Sequence, residues 1–164
     1  MFALGGRCDD QWLASVEEYV AAENKWTPRA SMGAARAQFG SVSLQDGEFI
    51  YVFGGFSMAG SKLVEKSIER YAVKTDAWEE IKCDREVLAA SLVAKEDEDT
   101  VLILGGSSGG EMSTKFSVFK ASTGTMEEGG ADAPFVYAQA PCAVMEKNFV
   151  LLSDYGTLCY NRNM

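Results

Sequence analysis

Ile50-Tyr51-Val52-Phe53-Gly54-Gly55, followed by Ser67-Ile68-Glu69-Arg70-Tyr71 and then Thr75-Asp76-Ala77-Trp78, is the stretch that decides the fold. An apolar run closes on a glycine pair, an aromatic follows, and a large side chain comes seven residues after the aromatic. The succession occurs twice more. Gly5-Gly6 closes Phe2-Ala3-Leu4 and Gly105-Gly106 closes Val101-Leu102-Ile103-Leu104, so the steps between glycine pairs are 49 and 51 residues. A period of this size marks an architecture of stacked supersecondary units.

The gap from glycine pair to aromatic varies: Tyr19 and Phe119 come thirteen residues after the second glycine, Tyr71 sixteen. The next interval does not vary. Tyr19 to Trp26, Tyr71 to Trp78 and Phe119 to Met126 are all seven, a constant that predicts a tight hairpin beside a loop of adjustable length. Asn24, Asp76 and Gly124 stand two residues before the large side chain, and these types tolerate the positive φ of short hairpin turns. Further apolar segments, Phe39 to Leu44 and Leu88 to Ala94, lead through Gln45-Asp46-Gly47-Glu48 and Glu96-Asp97-Glu98-Asp99 into the second and third glycine pairs. Each unit is therefore four short strands, a to d. A fainter fourth copy runs from Ala140 to Met145, through Glu146-Lys147-Asn148, into Phe149 to Leu152, with Thr157 to Asn161 as its strand c and Ser153-Asp154 in place of the glycine pair. Ser15 and Val16-Glu17-Glu18-Tyr19 resemble a helix start, but the register shared with Ile68-Glu69-Arg70-Tyr71 outweighs it. The chain is expected to be all-β.

Composition narrows the chemistry. The 164 residues carry 15 Lys and Arg against 24 Asp and Glu, a net charge of -9 that repels nucleic acid and anionic bilayers. No apolar stretch approaches the roughly 20 residues of a membrane-spanning helix, and Met1-Phe2-Ala3-Leu4-Gly5-Gly6 is too short for a secretory leader, so a cytoplasmic place, including association with the cytoskeleton, is expected. Cys8, Cys83, Cys142 and Cys159 lack the spacing of a zinc site and read as reduced thiols. There is no histidine, which removes the commonest metal ligand and the usual general base near neutral pH. Neither a catalytic site nor a metal or other cofactor is expected. The run Glu96 to Asp99 lacks the alternating spacing of a calcium loop and reads as a solvated turn. Gly105-Gly106-Ser107-Ser108-Gly109-Gly110 lacks the lysine and helix of a phosphate loop.

A glycine pair ending a strand, an aromatic, and tryptophan seven residues later, in a unit of about fifty, resembles the kelch repeat. Gly54, Gly55, Tyr71 and Trp78 match it best; Gly5, Gly6, Tyr19 and Trp26 keep it; Gly105, Gly106 and Phe119 keep it with Met126 in place of tryptophan. The resemblance implies β-propeller blades of four antiparallel strands, with these residues as packing elements. The units fall at approximately 1–28, 36–82, 85–128 and 137–164, one segment of about 3.5 blades. Propellers close with about 4 to 8 blades. Part of a larger propeller is therefore expected, either a segment of a longer protein or an arc completed by self-association or another chain.

Strands alternate direction in such a blade, so b–c loops and d–a connections emerge on one face. Arg7 to Trp12, Phe56 to Lys62 and Ser107 to Met112 are the expected b–c loops. Arg36, Arg85 and Tyr137 stand four residues before Gly40, Ala89 and Pro141, the positions taken as equivalent on strand a. In kelch domains, as the resemblance implies, arginines there ring the channel mouth and pair with acidic peptide segments. Arg36, Arg85, Tyr137 and Arg7, with Trp12, Phe56, Met58 and Met112 as apolar anchors, form the candidate binding surface. The plainer alternative is an arginine solvated or paired with a neighbouring carboxylate, and Trp12 as a loop anchor. A protein-interaction scaffold is the expectation. The alternatives are the substrate-recognition part of a cullin-type ubiquitin ligase adaptor, whose usual BTB domain has no counterpart here, and a kelch-like enzyme such as a sugar epimerase or oxidase.

Overall fold

The computed structural model describes residues 1–57, 67–108 and 110–132 in full, and the strands 142–145, 148–153 and 156–161 as backbone. Among the described residues, sixteen strands in chain order account for more than half, with a 3-10 turn at Gln45–Gly47. The first sheet holds β1 (Phe2–Cys8), β2 (Gln11–Val20) and β3 (Lys25–Arg29). The second holds β4 (Gly40–Leu44), β5 (Phe49–Phe53), β6 (Ile68–Ala72) and β7 (Ala77–Ile81). The third is built from β8 (Leu92–Lys95), β9 (Thr100–Leu104), β12 (Phe116–Lys120) and β13 (Thr125–Glu128), with β10 (Ser107–Ser108) and β11 (Glu111–Met112) as a small ribbon between β9 and β12. The fourth holds β14 (Cys142–Met145), β15 (Asn148–Ser153) and β16 (Gly156–Asn161). Every sheet is an antiparallel meander of neighbours in sequence, and β4, β8 and β14 lie side by side along the inside of the arc.

The constant seven has a simple structural origin. Tyr19 pairs across with Trp26 in the β2–β3 hairpin, Tyr71 with Trp78 in β6–β7, and Phe119 with Met126 in β12–β13. Asn24, Asp76 and Gly124 sit in the turns with φ of 49°, 50° and 68°. Six residues between paired positions leave no slack, because a one-residue change would turn every side chain to the opposite face.

The glycine pairs are contact points between sheets. Gly54 has φ 61°, and a Cβ there would come within 2.7 Å of the Leu88 carbonyl oxygen; at Gly5, with φ 49°, it would meet the Arg36 carbonyl oxygen at 2.6 Å. A side chain would have to displace backbone, so the sheets approach this closely only where both the conformation and the space call for glycine.

Two apolar layers join the sheets. Leu44, Tyr51, Phe53 and Ile68 of the second sheet pack on Val101, Ile103, Phe119 and Met126 of the third. Phe53 and Phe119 meet edge to face at 5.3 Å, and both are fully buried. On the other side of the second sheet, Val52 and Trp78 pack with Phe2, Leu4, Val16 and Met32, and the ring of Phe2 meets Tyr71 edge to face at 5.8 Å. Buried aromatics of this size each remove some 150–250 Å² from water.

Two expectations are corrected here. The residues 7–12 are not a loop: Arg7 pairs with Trp12 and Cys8 with Gln11, so β1 and β2 continue past the glycine pair to a two-residue turn at Asp9-Asp10, where Asp9 takes φ 52°. The register of strand a also differs. Gly40 pairs with Phe53 and Leu92 with Leu104, while the bridges Ala37 to Phe56 and Ala89 to Ser107 are equivalent and are followed by positive φ at Gln38 and Ala90. Ala89 therefore corresponds to Ala37, and the counterpart of Arg36 is Leu88, not Arg85. Met58, Tyr137 and Pro141 lie outside the described residues.

Candidate functional site

Arg36 sits in the connection from the first sheet to the second, with its backbone on one and its side chain in the other. Its N–H donates to Leu13 O at 3.0 Å and its carbonyl accepts from Gly6 N at 2.9 Å. Its guanidinium donates to Gly54 O at 3.0 Å, Ser67 O at 3.2 Å and Ser67 Oγ at 2.9 Å, and pairs with the Glu69 carboxylate. Glu69 in turn accepts from Gly33 N at 2.6 Å and Ala34 N at 3.2 Å. Both side chains are buried, Arg36 at 0% exposure and Glu69 at 4%. Such a pair is kept only when hydrogen bonds make up the desolvation cost of two charges. Arg36 is thus a plug between sheets, and its exposure at a channel mouth is corrected: a carboxylate 33 residues away holds it inside.

The other candidates lie on separate elements. Arg7 is exposed and holds Asp9 O and Asp10 within its own hairpin. Trp12 is half-buried opposite it on β2, Phe56 half-buried in the bridge to Ala37, and Met112 exposed on β11. Arg85 is exposed, with Nη1 3.4 Å from Glu128 Oε1.

Arg85 also lines a cavity of about 380 Å³ between the connection 85–91 and the third sheet, with Leu88, Lys115, Ser117, Met126 and Glu128 around it. A cleft of about 600 Å³ at the same place, between the connection 31–34 and the second sheet, is lined by Gly33, Ser67, Glu69, Trp78 and Glu80. The strand registers match the two residue by residue. Ile68 and Phe116 both oppose the last residue of the preceding strand, Phe53 and Leu104, so Ser67 corresponds to Lys115, Glu69 to Ser117 and Trp78 to Met126. In the connections, Gly33 corresponds to Arg85 and Arg36 to Leu88. One site is built twice. The first copy carries the buried Arg36–Glu69 pair at its side, and Trp78 on its wall donates from Nε1 to Ala30 O at 2.8 Å. In the second copy both plug residues are replaced by shorter uncharged ones, and two cations stand on its rim. Composition could not single out this cleft, because its signal is a difference between repeats that only the correct register reveals.

Other polar clusters serve the turns. Asp76 accepts from Tyr71 Oη at 2.6 Å and Ala30 N at 2.8 Å, and the tyrosine bond, foremost, holds its carboxyl below the usual range. Burial first, and then Asp76, push the Tyr71 phenol upward. In the acidic run, Asp97 accepts from Asp99 N, Thr100 N and Thr100 Oγ1, and the Asp99 bond leads in lowering its carboxyl. Asp99 holds Ser122 through its N and Oγ. The run is a set of side-chain caps on turns. Cys8 is an exposed free thiol and Cys83 a half-buried one, whose ionisation burial chiefly pushes up.

With this geometry in place, comparison with known proteins decides the architecture. A solved structure of YjhT superposes with a TM-score of 0.72 over 91% of this chain and 56% of that one, at 16% identity. The fold is a β-propeller fold. In sequence, 80 residues, 49% of the chain, are 34% identical to Kelch-like protein 36 of Rattus norvegicus, and the same holds for Kelch-like protein 36 of Mus musculus. The chain spans 13% of the length of each. No family model matches.

Proposed function

We propose that this chain is a non-catalytic, cytoplasmic protein-interaction scaffold of the kelch type, an arc of propeller blades whose open face is covered by a further blade. Kelch-like relatives matching 49% of the chain support an interaction role in general terms. The absence of histidine supports a non-catalytic one.

The observation that carries the reading is the outer face of the first sheet. Tyr19, Trp26 and Glu17 are the counterparts of Tyr71, Trp78 and Glu69, each 52 positions earlier. In the second sheet those three are covered by the first sheet: Tyr71 is fully buried against Phe2, Trp78 bonds Ala30, and Glu69 holds Arg36. In the first sheet Trp26 is 43% exposed, Tyr19 is half-buried, and the Glu17 carboxylate is exposed. The chemistry is that of a blade interface. It fits a neighbouring sheet whose connection carries an arginine to meet Glu17, and a second copy of the chain is the occupant that the isolated protein can supply.

Light scattering on the purified chain and on Trp26→Glu tests this. The expected mass is near twice 17.8 kDa, falling to the monomer in the variant, because a buried unpaired carboxylate disfavours the contact. A wild-type chain that stays monomeric, folded and soluble at high concentration would refute the interface.

A further inference from the structure

The joint between the first and second sheets is built differently from the next one. Of strands β1, β2 and β3 only Val16 is buried, whereas four of the five residues of β5 and all five of β9 are. Phe2 and Leu4 reach the second sheet half-buried. So thin an apolar layer holds two sheets weakly, since burial contributes in proportion to the area removed from water. Polar ties do the rest, and they converge on three side chains of the second sheet that grip the connection. Gly33 and Ala34 donate their N–H groups to Glu69 at 2.6 and 3.2 Å. Ala30 N–H donates to Asp76 Oδ1 at 2.8 Å, and Ala30 O accepts from Trp78 Nε1 at 2.8 Å. Arg36 adds its guanidinium to Glu69. The cleft of about 600 Å³ runs beside these bonds, lined by Ser31, Gly33, Ala34, Glu69 and Trp78, so water has a path to them. Separating the ion pair returns both charges to water, and their hydration offsets much of the lost attraction.

The backbone divides at one place. Up to Arg36 the connection bonds to the first sheet: Met32 N–H donates to Ala14 O at 2.9 Å, Arg36 N–H to Leu13 O at 3.0 Å, and Gly6 N–H to Arg36 O at 2.9 Å. From Ala37 onward it bonds to the other sheets. Ala37 bridges Phe56, and Gln38 O accepts from Ala90 N at 2.9 Å. Gln38 takes φ 54°, a conformation that a residue other than glycine keeps only where its surroundings hold it. We infer that residues 1–36 form a latched lid, which opens as one piece about the Arg36–Gln38 backbone and uncovers Val52, Tyr71 and Trp78 of the second sheet. Glu69, Asp76 and Trp78 are the latch. Tyr71 and Trp78 match Tyr19 and Trp26, so the opened lid presents a second face of the kind that the first sheet already shows. The inference concerns a single chain and does not depend on what covers the outer face of the first sheet.

The test compares two variants, Val52→Cys and Val101→Cys, each made on a chain whose native cysteines are replaced by alanine. Both positions are fully buried, Val52 under the first sheet and Val101 between the second and third. Labelling by N-ethylmaleimide is followed in rising urea, at a concentration where light scattering gives the monomer mass. The Val52→Cys thiol is expected to react about tenfold or more faster without urea, and with about half the urea dependence or less, because a lid exposes only part of the surface that unfolding exposes. Should either variant not fold, amide hydrogen exchange of the unmodified chain carries the same expectation: β1, β2 and β3 exchange together, ahead of β5 and β9. Equal labelling rates or equal urea dependence would overturn the lid. So would exchange of the first sheet at the rate of β9, or exchange of β1, β2 and β3 one after another, which is fraying and not the opening of one piece.

Discussion

Replacing Arg36 by leucine, the residue at the equivalent position in the next repeat, puts the plug under the most direct strain. The substitution leaves the Glu69 carboxylate at 4% exposure with only the Gly33 and Ala34 N–H groups to stabilise it. It also strips donors from Gly54 O and the Ser67 carbonyl. Breaking a buried pair by removing one partner costs about 3–5 kcal/mol, a large part of the roughly 5–15 kcal/mol that holds a domain folded. The second substitution, Glu69→Ser, again copies the next repeat and removes the stranded charge. The double variant keeps the loss of packing and of carbonyl partners but not the uncompensated ion, so it should recover about 2 kcal/mol or more. Urea unfolding of the wild type, both singles and the double, followed by tryptophan fluorescence, supplies the four corners of the cycle. The midpoint should fall most in Arg36→Leu, with the denaturant slope unchanged. A single-variant cost below about 1 kcal/mol would place the pair at the value of a surface salt bridge. Strict additivity of the two substitutions would show that the pair acts as two unrelated groups. Either result refutes the plug.

Phe119→Ala should cost about 3–5 kcal/mol, since its fully buried ring packs on Tyr51 and Phe53; Trp26→Ala, on the exposed face, should cost the isolated monomer far less, and thermal unfolding of the two compares them. The pH dependence of unfolding should be softened by Asp76→Asn. Because the Asp76 carboxyl is held below its ordinary value, its stabilisation is present above the unfolded pKa of about 3.9. It is lost as the pH falls through the lower folded value, and asparagine, which in the first sheet accepts the same tyrosine bond at Asn24, keeps its contacts through that range. Matching acid limbs for wild type and variant would count against this assignment.

What could be read in the sequence was what is settled locally. The seven-residue interval and Asn24, Asp76 and Gly124 identify a hairpin because a tight turn restricts residue type and spacing at once. The connection from one sheet to the next has no such marker. Its register is set by where Ala37 and Ala89 bridge to residues after the glycine pair, contacts 18 or 19 residues away in sequence, and a count from the apolar run placed Arg85 beside Arg36 when it belongs three residues earlier. Arg36 and Glu69 were both visible as charges. Their burial follows from the first sheet lying over the second, and no spacing within either segment announces it. The extension of β1 and β2 through residues 7–12 was hidden for a different reason: Asp9-Asp10 reads as loop composition, and only its positive φ makes it a hairpin turn.

Because every sheet is a meander of strands adjacent in sequence, most of the chain's partners lie within one repeat. Chains with such short loops to close nucleate readily, and a repeat can gather its own strands as soon as it leaves the ribosome. The ties that must wait are those between repeats, among them the Phe53–Phe119 contact and Arg36 to Glu69, the most deeply buried ion pair among the described residues. A pulling force or a protease would then meet the protein as a row of separately opening units. The first to yield would be whichever unit had lost the bond to its neighbour.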